Sequence, residues 1–233
     1  MNAAAARKLV IAIDGPAGAG KSTIAAHLAR KLGYVNIESG AMYRALALKA
    51  IETGVSPDYA EGLLALLAQS TIHLEPTPRD NRVLLDGRDI SQRVREQDVT
   101  AAASRVSVHP PVRERLVALQ RALGVAGGVV MEGRDIGTKV FPDADLKIFL
   151  DAHPEVRAGR RVLQQKEKGI AESPQEVAAR MQERDRRDAT RVVSPLVPAP
   201  DAHIIDSSSL NIEQVIAAAE RLVDEKLAAD QEK

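Results

Sequence analysis

The stretch IAIDGPAGAGKST, residues 11–23, decides how this chain folds, because an apolar run passes directly into a glycine-rich loop and then a helix-forming segment. Gly15, Gly20, Lys21 and Ser22 occupy the fixed positions of the P-loop pattern. Each has a physical task. The glycines let backbone N–H groups turn inward around phosphate oxygens, Lys21 brings a cation to the β/γ-phosphates, and Ser22 offers a hydroxyl to Mg²⁺. The context is the required one: residues 9–13 are apolar and β-branched, as in a strand buried on both faces. Residues 22–32 carry Ile24, His27, Leu28 and Lys31 at helical spacing. Gly15, Pro16, Ala17, Gly18, Ala19, Gly20, Lys21, Ser22 and Thr23 are therefore the candidate nucleoside triphosphate site.

Composition narrows the setting. The 233 residues are 45% hydrophobic and 27% charged, which suits one globular unit with a substantial core. Lys+Arg and Asp+Glu both total 32, so no global field would concentrate nucleic acid or an anionic membrane, and neither is expected as a partner. The absence of cysteine excludes disulfides, thiolate metal sites and a Cys nucleophile. The opening MNAAAARK lacks a signal-peptide core, and no later run nears the ~18 apolar residues of a membrane span. A cytoplasmic monomer is the expectation.

Short apolar runs at residues 9–13, 34–37, 129–131, 146–150 and 203–205 alternate with segments of helical period, which predicts a parallel sheet covered by helices on both faces. Helix starts are read at Ser39, at Ser56 before Pro57, and at Ser173, where Pro174 and Glu176 complete a capping box. In the last segment Ile212, Val215, Ile216, Ala219, Leu222 and Val223 form one apolar stripe. Two regions break the alternation. Residues 70–90 read as short extended pieces around 72–74, 83–85 and 88–90, joined by ProThrPro and AspGly turns. Residues 154–195 are apolar-poor and arginine-rich, as a mobile helical cover would be. Both pieces are expected to follow strands of the sheet, at whose carboxyl ends ligands bind in open α/β folds.

No NKxD stretch follows the loop, which disfavours a GTPase. Phosphoryl transfer to a small acceptor instead needs cations that hold two anionic substrates together, and three arginine-bearing segments supply them. In EGRDIG, residues 132–137, Glu132 can act as a Walker-B-like carboxylate through Mg²⁺-bound water, with Arg134 and Asp135 beside it. ESGAMYR, residues 38–44, places Ser39 at a helix start and Arg44 one turn inside. Arg180, Arg184, Arg187 and Arg191, spaced 4, 3 and 4, would share one helical face with Asp188 beside them. Each segment alone also fits a plain reading: a strand-to-loop turn, an N-cap, a solvated charged face.

At these residues, and along nearly its whole length, the chain resembles the bacterial cytidylate kinases. The matching stretches are IDGPAGAGKST, ESGAMYRALA, LLDGRDIS, AAASRVSVHPPVRERL, EGRDIGTKVFPDADLKIFLDA, RDRRDATRVVSPL and DAHIIDS. The resemblance implies an α/β P-loop kinase fold with a five-stranded parallel sheet, helices on both faces, a small antiparallel β insertion and a helical lid. It implies a single kinase domain, 1–233: residues 1–66, 108–153 and 193–233 as core, 67–107 as the nucleoside-monophosphate-binding insertion and 154–192 as lid. The implied activity is transfer of the ATP γ-phosphoryl group to CMP or dCMP with Mg²⁺.

The family pattern assigns Ser39, Arg44 and Arg134 to the acceptor phosphate, with Gly133 among the CMP-binding residues, and Ser104, Arg113 and Asp135 to cytosine. Arg184 and Asp188 would hold the ribose, and Arg191 would reach the phosphates. Lys21, Arg44, Arg134 and Arg191 form the catalytic phosphate-handling set, and Arg157, Arg161 and Arg187 are further lid cations that could touch ATP. Glu38 and Glu132 stand where the family more often has aspartate. The base assignment agrees with chemistry: cytosine offers an N4 donor with N3 and O2 acceptors, which a carboxylate at Asp135 and donors at Ser104 and Arg113 would match. A kinase for UMP, AMP or shikimate, or a non-catalytic nucleotide-binding module, is the alternative.

Overall fold

The computed structural model describes residues 8–77, 81–167 and 169–231. The chain runs through β1 (Val10–Asp14), α1 (Lys21–Leu32), β2 (Val35–Glu38), α2 (Gly40–Thr53) and α3 (Ala60–Gln69) to three short strands, β3 (Ile72–Pro76), β4 (Asn81–Leu85) and β5 (Arg88–Asp89). It continues through a 3-10 turn at Arg93–Arg95, α4 (Gln97–Val106), α5 (Pro110–Gly124), β6 (Val129–Gly133), a π-helical turn at Ile136–Val140 and β7 (Leu146–Asp151). The final elements are α6 (Pro154–Glu167), α7 (Pro174–Ala189), β8 (His203–Asp206) and α8 (Ile212–Gln231).

The five apolar runs are the five strands of one parallel sheet, ordered β2-β6-β1-β7-β8. The central strand β1 is buried on both sides, which is why it reads as an unbroken apolar run without alternation. On one face Ile11, Ile13 and Ile148 pack against Ile24 and Leu28 of α1 and Val215, Ala219 and Val223 of α8. Each fully buried Val, Leu or Ile side chain among them contributes about 1.5–3 kcal/mol. On the other face Ala12, Val129 and Met131 meet Ile136, Val140 and Val117. A third apolar cluster joins α2, α4 and α5 to Val83 and Leu85 of the antiparallel sheet β3-β4-β5.

Local chemistry explains the turns. Asp86 (φ 52°) and Gly87 (φ 78°) link the paired residues Leu85 and Arg88, the two-residue left-handed turn that suits strand twist. The ProThrPro signal ends at Pro78, outside the described residues. Ser173 accepts the N–H of Glu176 at 3.2 Å while the Glu176 carboxylate accepts the N–H of Ser173 at 3.1 Å, so the capping box forms.

Three expectations fail. Ser56 opens no helix: its hydroxyl accepts the N–H of Asp58 and its carbonyl that of Tyr59, a local turn that delays α3 to Ala60. Ser39 precedes α2 in helical conformation and does not cap it, because its hydroxyl donates to the Glu132 carbonyl instead. The antiparallel strands follow α3, not a strand of the central sheet.

Candidate active site

The carboxyl ends of β1, β2 and β6 converge beside the glycine-rich loop. The chain leaves β1 toward β2 on one side and β6 toward β7 on the other, which opens a crevice between β1 and β6. Gly15 has φ 145°, and a Cβ there would sit 2.0 Å from the Leu150 carbonyl oxygen, so only glycine fits the start of the loop. Lys21 is the first residue of α1, is buried, and donates to the Pro16 carbonyl at 2.7 Å. Burial, followed by the charge of Arg134, lowers the Lys21 ammonium to about 7.

Glu38 and Glu132 are register partners on adjacent parallel strands, so their carboxylates face the same side of the sheet. Burial, then the Glu38 charge, pushes Glu132 up to about 7, and Lys21 and a hydrogen bond from Ser22 oppose the shift. Burial would raise Glu38 too, yet Arg44, 2.9 Å away, holds it below the ordinary carboxylate range. A hydroxyl and a carboxylate beside a phosphate loop match Mg²⁺, which takes few protein ligands and completes its shell with water and phosphate oxygens. Among the described residues no three His, Cys, Asp or Glu side chains converge on a metal site.

The opposite wall comes from four elements. Arg113 of α5 is buried, pairs with the Asp135 carboxylate, donates to the Ser107 carbonyl at 3.1 Å, and lies 5.3 Å over the Tyr43 ring of α2. Ser104 of α4 is buried nearby in sequence, its carbonyl accepting from the Ser107 hydroxyl at 3.0 Å. Ser39 donates to the Glu132 carbonyl at 2.8 Å, and this close approach requires Gly133, where a Cβ would stand 2.5 Å from the Ser39 hydroxyl.

Two helices cover the crevice. Arg134 donates to Asp188 of α7 at 2.8 Å, and Arg191 lies 3.2 Å from the other Asp188 oxygen. Arg184 is half-buried, and desolvation followed by the charge of Arg134 lowers its guanidinium to about 10. Arg157 of α6 donates to the carbonyls of Ala17 (3.1 Å) and Ala152 (2.8 Å) and to Asp185 (2.6 Å), which fastens the cover to the phosphate loop.

The arginine row of α7 divides by its partners. Arg180 pairs with Glu172 and Arg187 with Glu183, Arg184 is half-buried with its Nε unpartnered, and Arg191 lies beyond the helix end yet is buried. Arg161 donates to Gln164 on its own helix. Sequence reasoning missed Asp14, Tyr43, Arg160 and Asp185. Arg160 donates to the Ser207 carbonyl at 2.7 Å and hydroxyl at 3.0 Å, joining α6 to the loop after β8. Asp14 carried a usable signal, a carboxylate ending an apolar strand just before the loop. Of the histidines, His27 pairs with Glu220 and His109 with the Pro57 carbonyl, both away from the cleft.

Over residues 11–225 the chain matches the family model described as Cytidylate kinase. It is similar to a cytidylate kinase of Pelotomaculum thermopropionicum, 52% identical over 207 residues that cover 88% of this chain and 92% of that protein. The cytidylate kinase of Enterococcus faecalis is 48% identical, covering 94% and 97% of the two chains, and that of Geobacillus thermodenitrificans is 46% identical, covering 95% and 99%.

Proposed function

The chain belongs to the cytidylate kinase family, and from that premise we propose that it transfers the γ-phosphoryl group of ATP to CMP or dCMP, giving ADP and CDP or dCDP. The observation that carries the acceptor reading is a set of buried donors in want of partners. Buried side-chain atoms without a hydrogen-bond partner occur at scattered places such as Ser70 and Thr138, but Tyr43 Oη, Arg44 Nε, Ser104 Oγ, Arg113 Nε, Arg184 Nε and Arg191 Nη2 all belong to residues of this crevice. Buried polar groups in folded proteins are normally satisfied, so orphans gathered in one crevice mark where a ligand belongs.

The donor nucleotide lies on residues Gly15 to Thr23, with Lys21 on its terminal phosphates. Mg²⁺ would be held by Ser22, with Glu132 reaching it through water, and would neutralise charge on the phosphate oxygens. Arg44, Arg134 and Arg191 hold the acceptor phosphate with Ser39 and Gly133, and Arg184 and Asp188 hold the ribose. Asp135 accepts from cytosine N4 while Ser104 and Arg113 donate to N3 and O2. Uracil presents O4 and N3–H at the first two of those positions, which opposes acceptor to acceptor and donor to donor.

An acceptor phosphate oxygen attacks the γ-phosphorus in line, and the bond to the β-bridging oxygen breaks. The nucleophile is already anionic, so no general base is required, and the chain's work is positioning and charge neutralisation. The Arg157 and Asp188 contacts of α6 and α7 support a lid that keeps water from competing for the phosphoryl group. A coupled assay of ADP release with CMP, dCMP, UMP, AMP and shikimate tests the proposal. Turnover confined to CMP and dCMP is expected; equal turnover with another acceptor, or none with any, would refute it.

A further inference from the structure

Asp14 is buried, ends β1, and stands immediately before the first glycine of the phosphate loop, yet its side chain serves the other half of the cleft. Its two carboxylate oxygens accept the N–H groups of Ile136 at 2.8 Å and Gly137 at 2.7 Å. Those amides open the π-helical turn Ile136–Val140, where the first N–H groups have no partner within the turn itself. The backbone of Asp14 meanwhile is the register partner of Gly133, the last pair of the β1–β6 ladder. Arg134 and Asp135 are thus a two-residue bridge slung between two attachments to one residue. One end is fixed to Asp14 through the ladder and the other through its carboxylate. Asp135 itself sits at φ −147° and ψ 27°, outside helix and strand conformations, so its own dihedral preference does not aim it.

We propose that Asp14 is a positioning residue that holds the acceptor-reading residues Arg134 and Asp135 in register with the phosphate loop. This inference rests on the kinase reading given above. Only a carboxylate does this at the site: two N–H groups need two acceptors, whereas asparagine supplies one and turns an NH₂ donor toward the other amide. Movement of the bridge would misalign Asp135 against the base edge and Arg134 against the acceptor phosphate. The rest of the phosphate loop, built from its own backbone, would be left in place. The effect should therefore fall on acceptor choice and not evenly on both substrates.

The test uses the full chain and its Asp14→Asn and Gly137→Ala variants. Gly137→Ala approaches the same bond from the other partner and keeps the Asp14 charge. Its Cβ would press on Lys147 Cδ at 3.2 Å and touch Asp14 Oδ2 at 3.4 Å, so either the Lys147 side chain or the turn must give by a few tenths of an ångström. Steady-state kcat/KM is measured for CMP and UMP at saturating ATP, together with ATP affinity and thermal unfolding. For Asp14→Asn the expected result is a CMP-over-UMP ratio reduced about tenfold or more, with ATP affinity changed less than about fivefold. Gly137→Ala should lower the ratio about threefold, and the double variant should go little beyond Asp14→Asn, as two changes to one contact do. A ratio within twofold of wild type in both variants, or equal losses toward CMP and UMP, would overturn the proposal and leave Asp14 a stabilising residue only. Should Asp14→Asn fail to fold, the ratio in Gly137→Ala decides. A wild-type chain that prefers another acceptor refutes the functional reading instead, and the variants are then judged by the ratio for that acceptor.

Discussion

The phosphate loop takes its shape from the backbone of neighbouring residues, whereas the acceptor wall opposite is assembled from side chains on α2, α4, α5 and the end of β6, beneath the cover of α7. The difference decides what each region tolerates and how each is recognised. A phosphate loop offers its ligand peptide N–H donors, so most of its positions ask only for a small residue and a permissive φ. The acceptor wall is held by a buried ion pair, Arg113 with Asp135, and a part-buried one, Arg134 with Asp188. A buried pair is costly to break on one side only, because the remaining charge is stranded.

The contrast can be broken experimentally. Lys21→Ala should have the largest effect, lowering turnover about 10³-fold while CMP binding stays near the wild-type level; single-turnover kinetics and a CMP titration check both parts. Arg113→Ala should cost about 3–5 kcal/mol of stability, since it leaves Asp135 buried and unpaired. Denaturant unfolding measures that, and a loss under 1 kcal/mol would mean that Asp135 finds another partner. Arg157→Ala removes the tie between the cover and the Ala17 carbonyl and should raise KM for ATP about tenfold with a much smaller change in KM for CMP. Ser173→Ala, at the far end of the cover, should cost about 1 kcal/mol by losing the helix cap and leave the acceptor ratio untouched.

The two regions also differed in how far the sequence revealed them. β1, the loop and α1 follow one another within 23 consecutive residues, Val10–Leu32, and each has a local cause: a β-branched run, glycines at positive φ, an apolar stripe. The Asp86-Gly87 turn and the Ser173 capping box were legible for the same reason, since their partners lie within a few residues. The acceptor wall is not local. Arg113 and Asp135 lie 22 residues apart, and Arg134 and Asp188 lie 54 apart. No period or spacing announces such pairs, and Ser104 and Arg113 entered the candidate list only through the family resemblance. Helical spacing misled where partners competed: Arg180 and Arg187 fit the row, but Glu172 and Glu183 claim them. Ser39 looked like a cap because the pattern could not show the Glu132 carbonyl waiting across the sheet. Asp14 went unread because a strand-ending carboxylate beside a phosphate loop suggests that loop, and its bonds lie 122 and 123 residues away.

In the proposed division of labour the loop holds the donor without choosing the acceptor, and the choice resides at Asp135 and its neighbours. Titration of CMP and UMP onto the wild-type chain, Lys21→Ala and Asp135→Asn tests it most directly. The expected preference for CMP is about 100-fold in both wild type and Lys21→Ala, and only a few-fold in Asp135→Asn. An undiminished preference in Asp135→Asn, or its disappearance in Lys21→Ala, would contradict it.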